Sequence, residues 1–274
     1  MDPEIADTVR RALEEDIGPG DVTTEACVPA DRQATGEFIA RESQVIAGVE
    51  LLPLIYDNCT LRKQDGDRAV AGEVIAQVQG AARALLSCER VALNFLQRLS
   101  GVATLAAQYV ERVAGTGCRV LDTRKTTPGL RRLEKIAAAA GGVTNHRMGL
   151  YDAILIKNNH IEAAGGVRPA IESARAASKL PIEIEVRTRQ ELAEALSAGA
   201  VHILLDNFTP PEAADLVRQI AGRAKVEISG GVTLDNIRAY AQTGANFVSS
   251  GAITHSAAAV DISFRLTLKK DRPT

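Results

Sequence analysis

The chain has 274 residues, of which 46% are hydrophobic and 24% charged, and its formal net charge is −2. This length and composition allow a large core in one big domain or in a barrel with a small companion domain, and no apolar run approaches the roughly 18 residues of a membrane span. Aromatic residues make up only 3%, which argues against a surface for single-stranded nucleic acid, so we expect a cytoplasmic protein that binds neither membrane nor nucleic acid.

The first half of the chain predicts a small antiparallel sheet followed by helix. Alternating or β-branched segments lie on both sides of a turn at Asp65–Asp67, as is typical of paired strands. From Ala82 to Gly115 the apolar spacing changes to that of one or two long helices that could link two domains. The predicted strands are Thr35–Arg41, Gln44–Gly48, Cys59–Gln64 and Glu73–Gln79.

The second half alternates short apolar runs with helical patterns, which predicts β/α repetition with parallel strands. Thr188 with Glu191 and Thr209 with Glu212 match the pattern of helix capping boxes. This repetition leaves two folds open, an α/β barrel and a doubly wound sheet. The predicted strands are Cys118–Asp122, Ala153–Lys157, Ile182–Val186, His202–Asp206, Val226–Ser229 and Asn246–Ser250.

Polar residues at the strand ends decide between these two folds. Each apolar run ends in a charged residue, a serine or a glycine turn, and in a barrel all carboxyl ends of the strands open on one face around one centre. The six units recognised are fewer than the eight of a closed barrel. We therefore expect an α/β fold with an open, incomplete barrel.

Positive charge is concentrated in one window of the chain. Between Arg119 and His160 eight Lys or Arg residues stand against three acids, a local net charge of +5 in a chain of −2. Such a focus indicates a small, highly anionic ligand, because a nucleic-acid surface spreads its charge over a broad face.

Arg124 and Lys125 follow the first barrel strand. An Arg–Lys pair is usually only solvated, but Arg147 and Lys157 add further cations and favour a binding role.

His146 lies between Asn145 and Arg147 in a loop flanked by glycines. Since nearby cations should lower its pKa, we expect a neutral ring that contacts a ligand and does not transfer protons. Lys157 ends an apolar strand, where a lysine is either a Schiff-base nucleophile or an anion ligand.

Glu185 and Asp206 are the acids at the ends of the next two strands. Together with substrate phosphate they can hold Mg²⁺, or they can bind sugar hydroxyls. Glu183 has the same strand parity, but Glu185 lies nearer the carboxyl end and is the favoured residue. Glycine turns at Ser229–Gly231 and Ser250–Ala252 let backbone N–H groups approach a phosphate, although tight βα turns use glycine without any ligand.

Eight segments form a motif set of high specificity. They are ALEEDIGPGDVTT (12–24), DTRKTTPGLR (122–131), NHR (145–147), LIKNNH (155–160), EIEV (183–186), LLDN (204–207), ISGG (228–231) and SGAITHS (250–256). In this order they resemble the quinolinate phosphoribosyltransferase family, which joins quinolinate to phosphoribosyl pyrophosphate and gives nicotinate mononucleotide, CO₂ and pyrophosphate in NAD biosynthesis. The chain departs from the family at Asn158, where an acid is common, and at Ile228, where a small residue is usual.

The resemblance implies an open α/β barrel of about seven strands over residues 111–260. An N-terminal α+β sandwich domain with a linking helix would occupy residues 1–110, and the tail 261–274 would pack on it. The resemblance further implies a homodimer whose active site takes Arg90 from the partner subunit, with association beyond the dimer left open. Mg²⁺ is the implied cofactor, held by Glu185 and Asp206 directly or through water.

Residue roles follow from the same resemblance. The quinolinate pocket would contain Thr123, Arg124, His146, Arg147 and Lys157. The catalytic residues would be Lys125, Lys157, Glu185 and Asp206, with Lys125 reaching toward the ribosyl phosphates. The remaining substrate-binding residues, most of them for the 5′-phosphate, would be Ser229, Gly230, Gly231, Ser250, Gly251, Ala252 and His255.

Two alternatives remain open at this stage. A paralogous phosphoribosyltransferase acting on another aromatic acid would carry much of the same motif set. A lyase with a phosphate-binding barrel would use Lys157 as a Schiff base, which borohydride trapping would reveal.

Overall fold

The computed structural model describes residues 2–268, and within it the chain forms two compact units. The first unit contains the described residues up to Ala107, the segment Thr127–Gly142 and the described residues from Ser256 onward. The second contains Gln108–Thr126 and Val143–His255. The sequence predicts continuous ranges, 1–110 and 111–260, whereas Thr127–Gly142 belongs with the first unit. Residues 269–274 of the predicted tail lie outside the described residues.

The first unit is built on a four-stranded antiparallel sheet. In spatial order its strands are Ile262–Leu268 (β12), Gln33–Ala40 (β1), Val74–Ala81 (β5) and Cys59–Leu61 (β3). Two short strands, Gln44–Val45 (β2) and Arg68–Ala69 (β4), pair separately. The four strands predicted in this half are all present, with ends that differ by a few residues.

Helices complete the first unit. The helix Ala82–Val113 (α4) is one continuous helix, where the sequence leaves one or two open; it begins in the first unit and ends in the second. Asp2 and Asp21 accept backbone N–H bonds at the starts of α1 and α2, as N-cap residues do. The other helices are Pro3–Ile17 (α1), Val22–Cys27 (α2), Leu52–Ile55 (α3, after a 3₁₀ turn at Val49–Leu51) and Arg131–Ala140 (α5).

Phe38 lies at the centre of the first unit's core. Its ring is fully buried, 4.9 Å from the ring centroid of Phe264 and 6.1 Å from that of Tyr56. Gly36 makes room for this packing, since a Cβ there would lie 2.1 Å from Phe264. The aromatic cluster therefore joins β1 to β12, which are far apart in sequence.

The second unit is built on a six-stranded parallel sheet. In spatial order its strands are Arg119–Leu121 (β6), Phe247–Ser249 (β11), Lys225–Ser229 (β10), His202–Asp206 (β9), Ile182–Val186 (β8) and Ile154–Ile156 (β7). A single parallel bridge between Leu121 and Thr144 adds a seventh segment next to β6. The predicted open barrel with its six strands is confirmed.

Helices alternate with these strands, as the sequence predicts. Both predicted capping boxes form, at Thr188 with Glu191 and at Thr209 with Glu212. Each fixes the start of a helix directly after the carboxyl end of a strand. The helices are Asn158–Ala164 (α6), Val167–Ala177 (α7), Arg189–Ser197 (α8), Pro210–Ile220 (α9), Ile237–Ala241 (α10) and Ala252–His255 (α11).

Several acids are buried on the strands of the second unit. Glu183, Glu185 and Glu227 are each at most 5% exposed, although bulky branched residues usually fill a barrel interior. Buried carboxylates need partners, so these strands form the framework of a polar site. Among the described residues, no helix combines the length and apolar character needed to cross a bilayer.

Candidate active site

The predicted site residues of the barrel all lie in the second unit. They lie in the last residues of its parallel strands, just beyond the carboxyl ends of these strands, or in the turn after α5. Arg90 is the exception, since it lies in α4 within the first unit, with an exposed side chain. The barrel residues are Thr123, Arg124, Lys125, His146, Arg147, Lys157, Glu185, Asp206, Ser229, Gly230, Gly231, Ser250, Gly251, Ala252 and His255.

Glu185 and Asp206 lie near the carboxyl ends of neighbouring strands, and both are paired with cations. Lys157 Nζ is 3.5 Å from Glu185 Oε2. Arg187 reaches both acids, with Nη2 3.3 Å from Glu185 Oε1 and Nε 3.1 Å from Asp206 Oδ2. Asn207 Nδ2 also donates to Asp206 at 2.8 Å. No motif of the sequence points to Arg187. Its only signal is its position directly after β8, two residues beyond Glu185, which places both side chains on the same face.

Glu183 and Glu185 lie on the same strand but have different partners. Glu183 Oε2 is 3.1 Å from His146 Nε2, and its Oε1 is 3.4 Å from His202 Nε2. Glu185 contacts the cations at the strand end instead. The preference for Glu185 as the acid at the mouth of the barrel agrees with this geometry.

Two carboxylates approach His146, one from β8 and one from β10. Glu183 lies at 3.1 Å and Glu227 at 3.5 Å from Nε2. Burial disfavours the charged ring, whereas the nearby carboxylates of Glu183 and Glu227 favour it and raise the pKa of His146. The expectation that neighbouring cations lower this pKa is therefore wrong, because the charged groups that dominate its surroundings are the acids of β8 and β10.

The tautomer of His146 follows from its second nitrogen. Nδ1 accepts the backbone N–H of Arg147 at 2.7 Å, so a neutral ring carries its proton on Nε2, facing the two carboxylates. A second proton on Nδ1 would displace the Arg147 bond. This bond opposes the rise in pKa that the two acids favour, and on this geometry we assign the neutral tautomer, in which Nε2 donates to Glu183.

His146, Glu183 and Glu227 also have the spacing of a metal site, with ligand atoms within 4.8 Å of one another. A metal would need a lone pair on Nε2, where the assigned tautomer has a proton. Burial raises the pKa of Glu227, which favours its neutral form there. The cluster is therefore better described as a hydrogen-bonded network than as a metal centre.

Asp122 fixes the turn that carries His146 and Arg147. This fully buried acid accepts Asn145 Nδ2–H at 2.7 Å and the backbone N–H of His146 at 2.8 Å. Arg147 Nη1 donates to the carbonyl of Ala153 at 3.1 Å. Its Nε is buried with no protein acceptor, so a donor is left for a ligand. Burial, together with the charge of Arg124, lowers the pKa of Arg147.

A cavity of ≈ 240 Å³ borders this network within the second unit. His146, Arg147, Glu183 and Glu227 contribute to its walls. The cavity is large enough for several water molecules.

Lys125 is positioned by Thr123 of its own loop and by Thr254 of α11. Its backbone N–H donates to Thr123 Oγ1 at 3.0 Å, and its carbonyl accepts Thr254 Oγ1–H at 2.9 Å. A Cβ on Gly251 would lie 2.7 Å from Lys125 Cδ and 3.1 Å from the His255 ring. The glycine therefore allows the lysine chain to lie over the last βα turn.

The two predicted glycine turns follow β10 and β11. Gly230 and Gly231 have φ angles of 93° and 63°, which side chains rarely adopt. A Cβ on Gly230 would lie 2.3 Å from Asn207 Oδ1. Ser250 Oγ donates to the carbonyl of Val232 at 2.9 Å, so it links the two turns and holds their backbone together.

Comparisons with known proteins cover nearly the whole chain. Residues 21–100 match the family model described as the N-terminal domain of quinolinate phosphoribosyl transferase, and residues 102–265 match its C-terminal domain. A probable nicotinate-nucleotide pyrophosphorylase [carboxylating] of Bacillus subtilis is 43% identical, over 94% of this chain and 91% of the relative. The nicotinate-nucleotide pyrophosphorylase [carboxylating] of Mycobacterium leprae is also 43% identical, over 95% and 96%.

A solved structure shares the fold. The crystal structure of NadC from Streptococcus pyogenes has a TM-score of 0.93 at 40% identity, and the alignment covers 98% of this chain and 99% of that chain.

Proposed function

Because this chain belongs to the quinolinate phosphoribosyltransferase family, we propose that it transfers the phosphoribosyl group of phosphoribosyl pyrophosphate to quinolinate. The products are nicotinate mononucleotide, CO₂ and pyrophosphate, and the enzyme is a decarboxylating pentosyltransferase of NAD biosynthesis. The observation that carries the proposal is the set of cations at the carboxyl ends of one parallel sheet in an otherwise acidic protein. That set consists of Arg124, Lys125, Arg147 and Lys157.

The cations suit a planar dicarboxylate. Guanidinium groups bind carboxylates through parallel N–H bonds, and a lysine adds a point charge. Arg147 has a buried Nε donor with no protein acceptor, and we assign it with Arg124 and Lys157 to the quinolinate carboxylates. Thr123 and His146 would complete the pocket wall, His146 through its ring surface, since its nitrogens bind protein groups.

The phosphoribosyl part would lie over the last strands. Lys125 is placed to neutralise the pyrophosphate. The backbone of the glycine turns would bind the 5′-phosphate, with His255 beside them. The residues of those turns are Ser229, Gly230, Gly231, Ser250, Gly251 and Ala252.

Mg²⁺ is proposed as the cofactor, held by Glu185 and Asp206. Two carboxylates on neighbouring strand ends are the oxygen donors that Mg²⁺ takes together with substrate phosphate and water, so the donor set fits. When bound, the ion would neutralise charge on the departing pyrophosphate.

The protein mainly positions the substrates and neutralises charge. As pyrophosphate leaves, an oxocarbenium-like ribose forms and the pyridine nitrogen attacks its C1. The positive charge of the ring nitrogen, now quaternary, stabilises the electron pair that stays on the neighbouring carbon when its carboxylate leaves as CO₂, and that carbon then takes up a proton from water. No residue need act as acid or base, and alignment of two bound reactants can lower the barrier by about 7–11 kcal/mol.

We further propose a homodimer in which each active site takes Arg90 from the other subunit. Arg90 lies on α4 with an exposed side chain, where a partner subunit can reach it. Cytoplasmic location and association beyond the dimer stay predictions of the sequence.

Product analysis tests the proposal. Incubation with quinolinate, phosphoribosyl pyrophosphate and Mg²⁺ should give nicotinate mononucleotide, detected by chromatography and mass. Nicotinate and other aromatic acids serve as competing substrates. Failure to form the product from quinolinate would reject the assignment, and preference for another acid would favour the paralogous transferase.

A further inference from the structure

The four charged groups at the ends of β7, β8 and β9 form a neutral cluster. Lys157 faces one oxygen of Glu185 at 3.5 Å, and Arg187 faces the other at 3.3 Å. Arg187 also contacts Asp206 at 3.1 Å. Two cations therefore compensate the two carboxylates proposed for the metal, and no net negative charge is left to attract a divalent ion.

The side chain of Arg187 can leave this cluster while its backbone stays in place. Its N–H donates to Glu191 Oε2 at 2.6 Å, and Glu191 forms the capping box of α8 with Thr188. The Arg187 side chain is 45% exposed, compared with 6% for Glu185 and 13% for Asp206. The guanidinium is therefore, with the 50% exposed Lys157, one of the two members of the cluster that solvent and an incoming ligand can reach, and it is the one that contacts both carboxylates.

Arg187 and a divalent cation need the same carboxylate lone pairs. A guanidinium has five N–H donors and no acceptor, so it cannot share in metal coordination. An oxygen that binds the metal is lost to Arg187, and the released guanidinium is then suited to bind phosphate.

We propose that Arg187 competes with the divalent cation for Glu185 and Asp206, and that it turns to the phosphates of phosphoribosyl pyrophosphate when the metal binds. The inference rests on the metal pair of the proposed function. Arg187 then has two opposite effects: it weakens the binding of the metal and strengthens the binding of phosphoribosyl pyrophosphate.

Direct binding of Mn²⁺ to the substrate-free protein tests the first effect. In Arg187→Gln, titration followed by the electron paramagnetic resonance of free Mn²⁺ should give a Kd about five- to tenfold lower than in the wild type, as expected for loss of roughly 1–1.4 kcal/mol of ion pairing. Arg187→Lys keeps the charge and should stay near the wild type. Arg189→Gln is the matched control, since it removes a charge two residues away whose recorded partner is Asp215.

Steady-state kinetics test the second effect. In Arg187→Gln, half-maximal activity should need less Mg²⁺, whereas the KM for phosphoribosyl pyrophosphate at saturating Mg²⁺ should rise. Opposite shifts of these two constants would not result from simple damage to the fold. The folded state of each variant is checked by circular dichroism.

Three results would overturn the inference. The first is an unchanged Mn²⁺ affinity in Arg187→Gln, and the second is an equal increase in Mn²⁺ affinity in Arg189→Gln. The third is an increase in Mn²⁺ affinity that persists in the double variant Glu185→Gln/Arg187→Gln, because the ion would then bind away from Glu185. Formation of nicotinate mononucleotide by the wild type is scored separately, so failure of this inference is distinguishable from failure of the proposed reaction.

Discussion

The imidazole of His146 is held at both nitrogens by protein groups. Nδ1 accepts the N–H of Arg147 at 2.7 Å, and Nε2 contacts Glu183 at 3.1 Å. The buried carboxylate of Glu183 thus acts, through the ring, on the backbone that carries Arg147. Asp122 holds the same turn from the end of β6. At the residue scale, buried acids position Arg147, one of the cations proposed to bind substrate.

Glu183 provides the test of this arrangement. Glu183→Leu removes the acceptor nearest to Nε2–H, and an unpaired buried donor costs about 1–3 kcal/mol. We expect kcat/KM for quinolinate to fall about five- to a hundredfold. Glu183→Gln should stay much closer to the wild type, because its amide oxygen accepts the same proton and its NH₂ faces His202. Equal losses in both variants would contradict the neutral tautomer, and no loss in either would contradict the positioning role.

Sequence reasoning reaches only part of this network. The alternation in Ile182–Val186 shows that Glu183 and Glu185 share a face of the strand. Strand parity alone does not tell which of the two acids contacts His146. Which acid meets His146 depends on the packing of β8, β9 and β10 around the Asn145–Arg147 turn. For the same reason the pKa of His146 was predicted with the wrong sign from the cations beside it in sequence.

At the scale of elements, α5 shows a buried charge that serves packing. Glu134 is fully buried, and it accepts Thr127 N–H at 3.0 Å, Thr127 Oγ1–H at 2.7 Å and Arg98 Nη2–H at 2.7 Å. Arg98 also donates to the carbonyl of Ala257 at 2.6 Å. One carboxylate thus ties α5 to α4 and to the turn before it, all within the first unit.

Glu134→Ala should therefore destabilise the protein strongly. Removal of one member of a buried pair leaves its partners without compensation, and we expect a loss of about 2–4 kcal/mol in the free energy of unfolding, measured by urea denaturation. Arg10→Ala breaks exposed ion pairs with Asp7 and Glu14 and should change stability far less than Glu134→Ala does, because solvent screens such pairs. Similar losses in the two variants would contradict this account of Glu134.

Regular elements are predictable where local signals determine them. The six parallel strands and both capping boxes follow from apolar runs and from Thr–Glu spacing. In contrast, β12 needs a partner far away in sequence, and α5 joins the first unit through contacts with distant residues, such as that between Arg98 and Glu134. Neither leaves a local signal in the chain.

At the scale of the whole molecule, the family predicted from the motifs is confirmed. Models of both of its domains together match residues 21–100 and 102–265. The motifs identify the family because they combine many chemically constrained positions in order. The oligomeric state has no comparable signal in a single chain, and the shared site stays a prediction.

Complementation between subunits tests the shared site. Arg90→Ala and Arg147→Ala should each be nearly inactive alone, because each removes a cation from every site. Mixed under conditions of subunit exchange, they should regain up to about a quarter of wild-type activity, since random pairing makes half of the dimers mixed and each of these has one intact site. A mixture of Arg147→Ala and Lys157→Ala is the control and should stay inactive. No rescue in the first mixture would reject the partner arginine.

The pairing of β12 with β1 has a consequence for synthesis on the ribosome. The sheet that contains Phe38 and Phe264 includes strands separated by the entire second unit. During vectorial translation β1 emerges early and has a free edge until β12 is made, whereas in the second unit β7 to β11 can pair in chain order as they appear and β6 waits only for β11. The first unit is therefore completed after the second, and during that interval it depends on folding assistance or on the charged and polar residues of its own exposed edge to avoid aggregation.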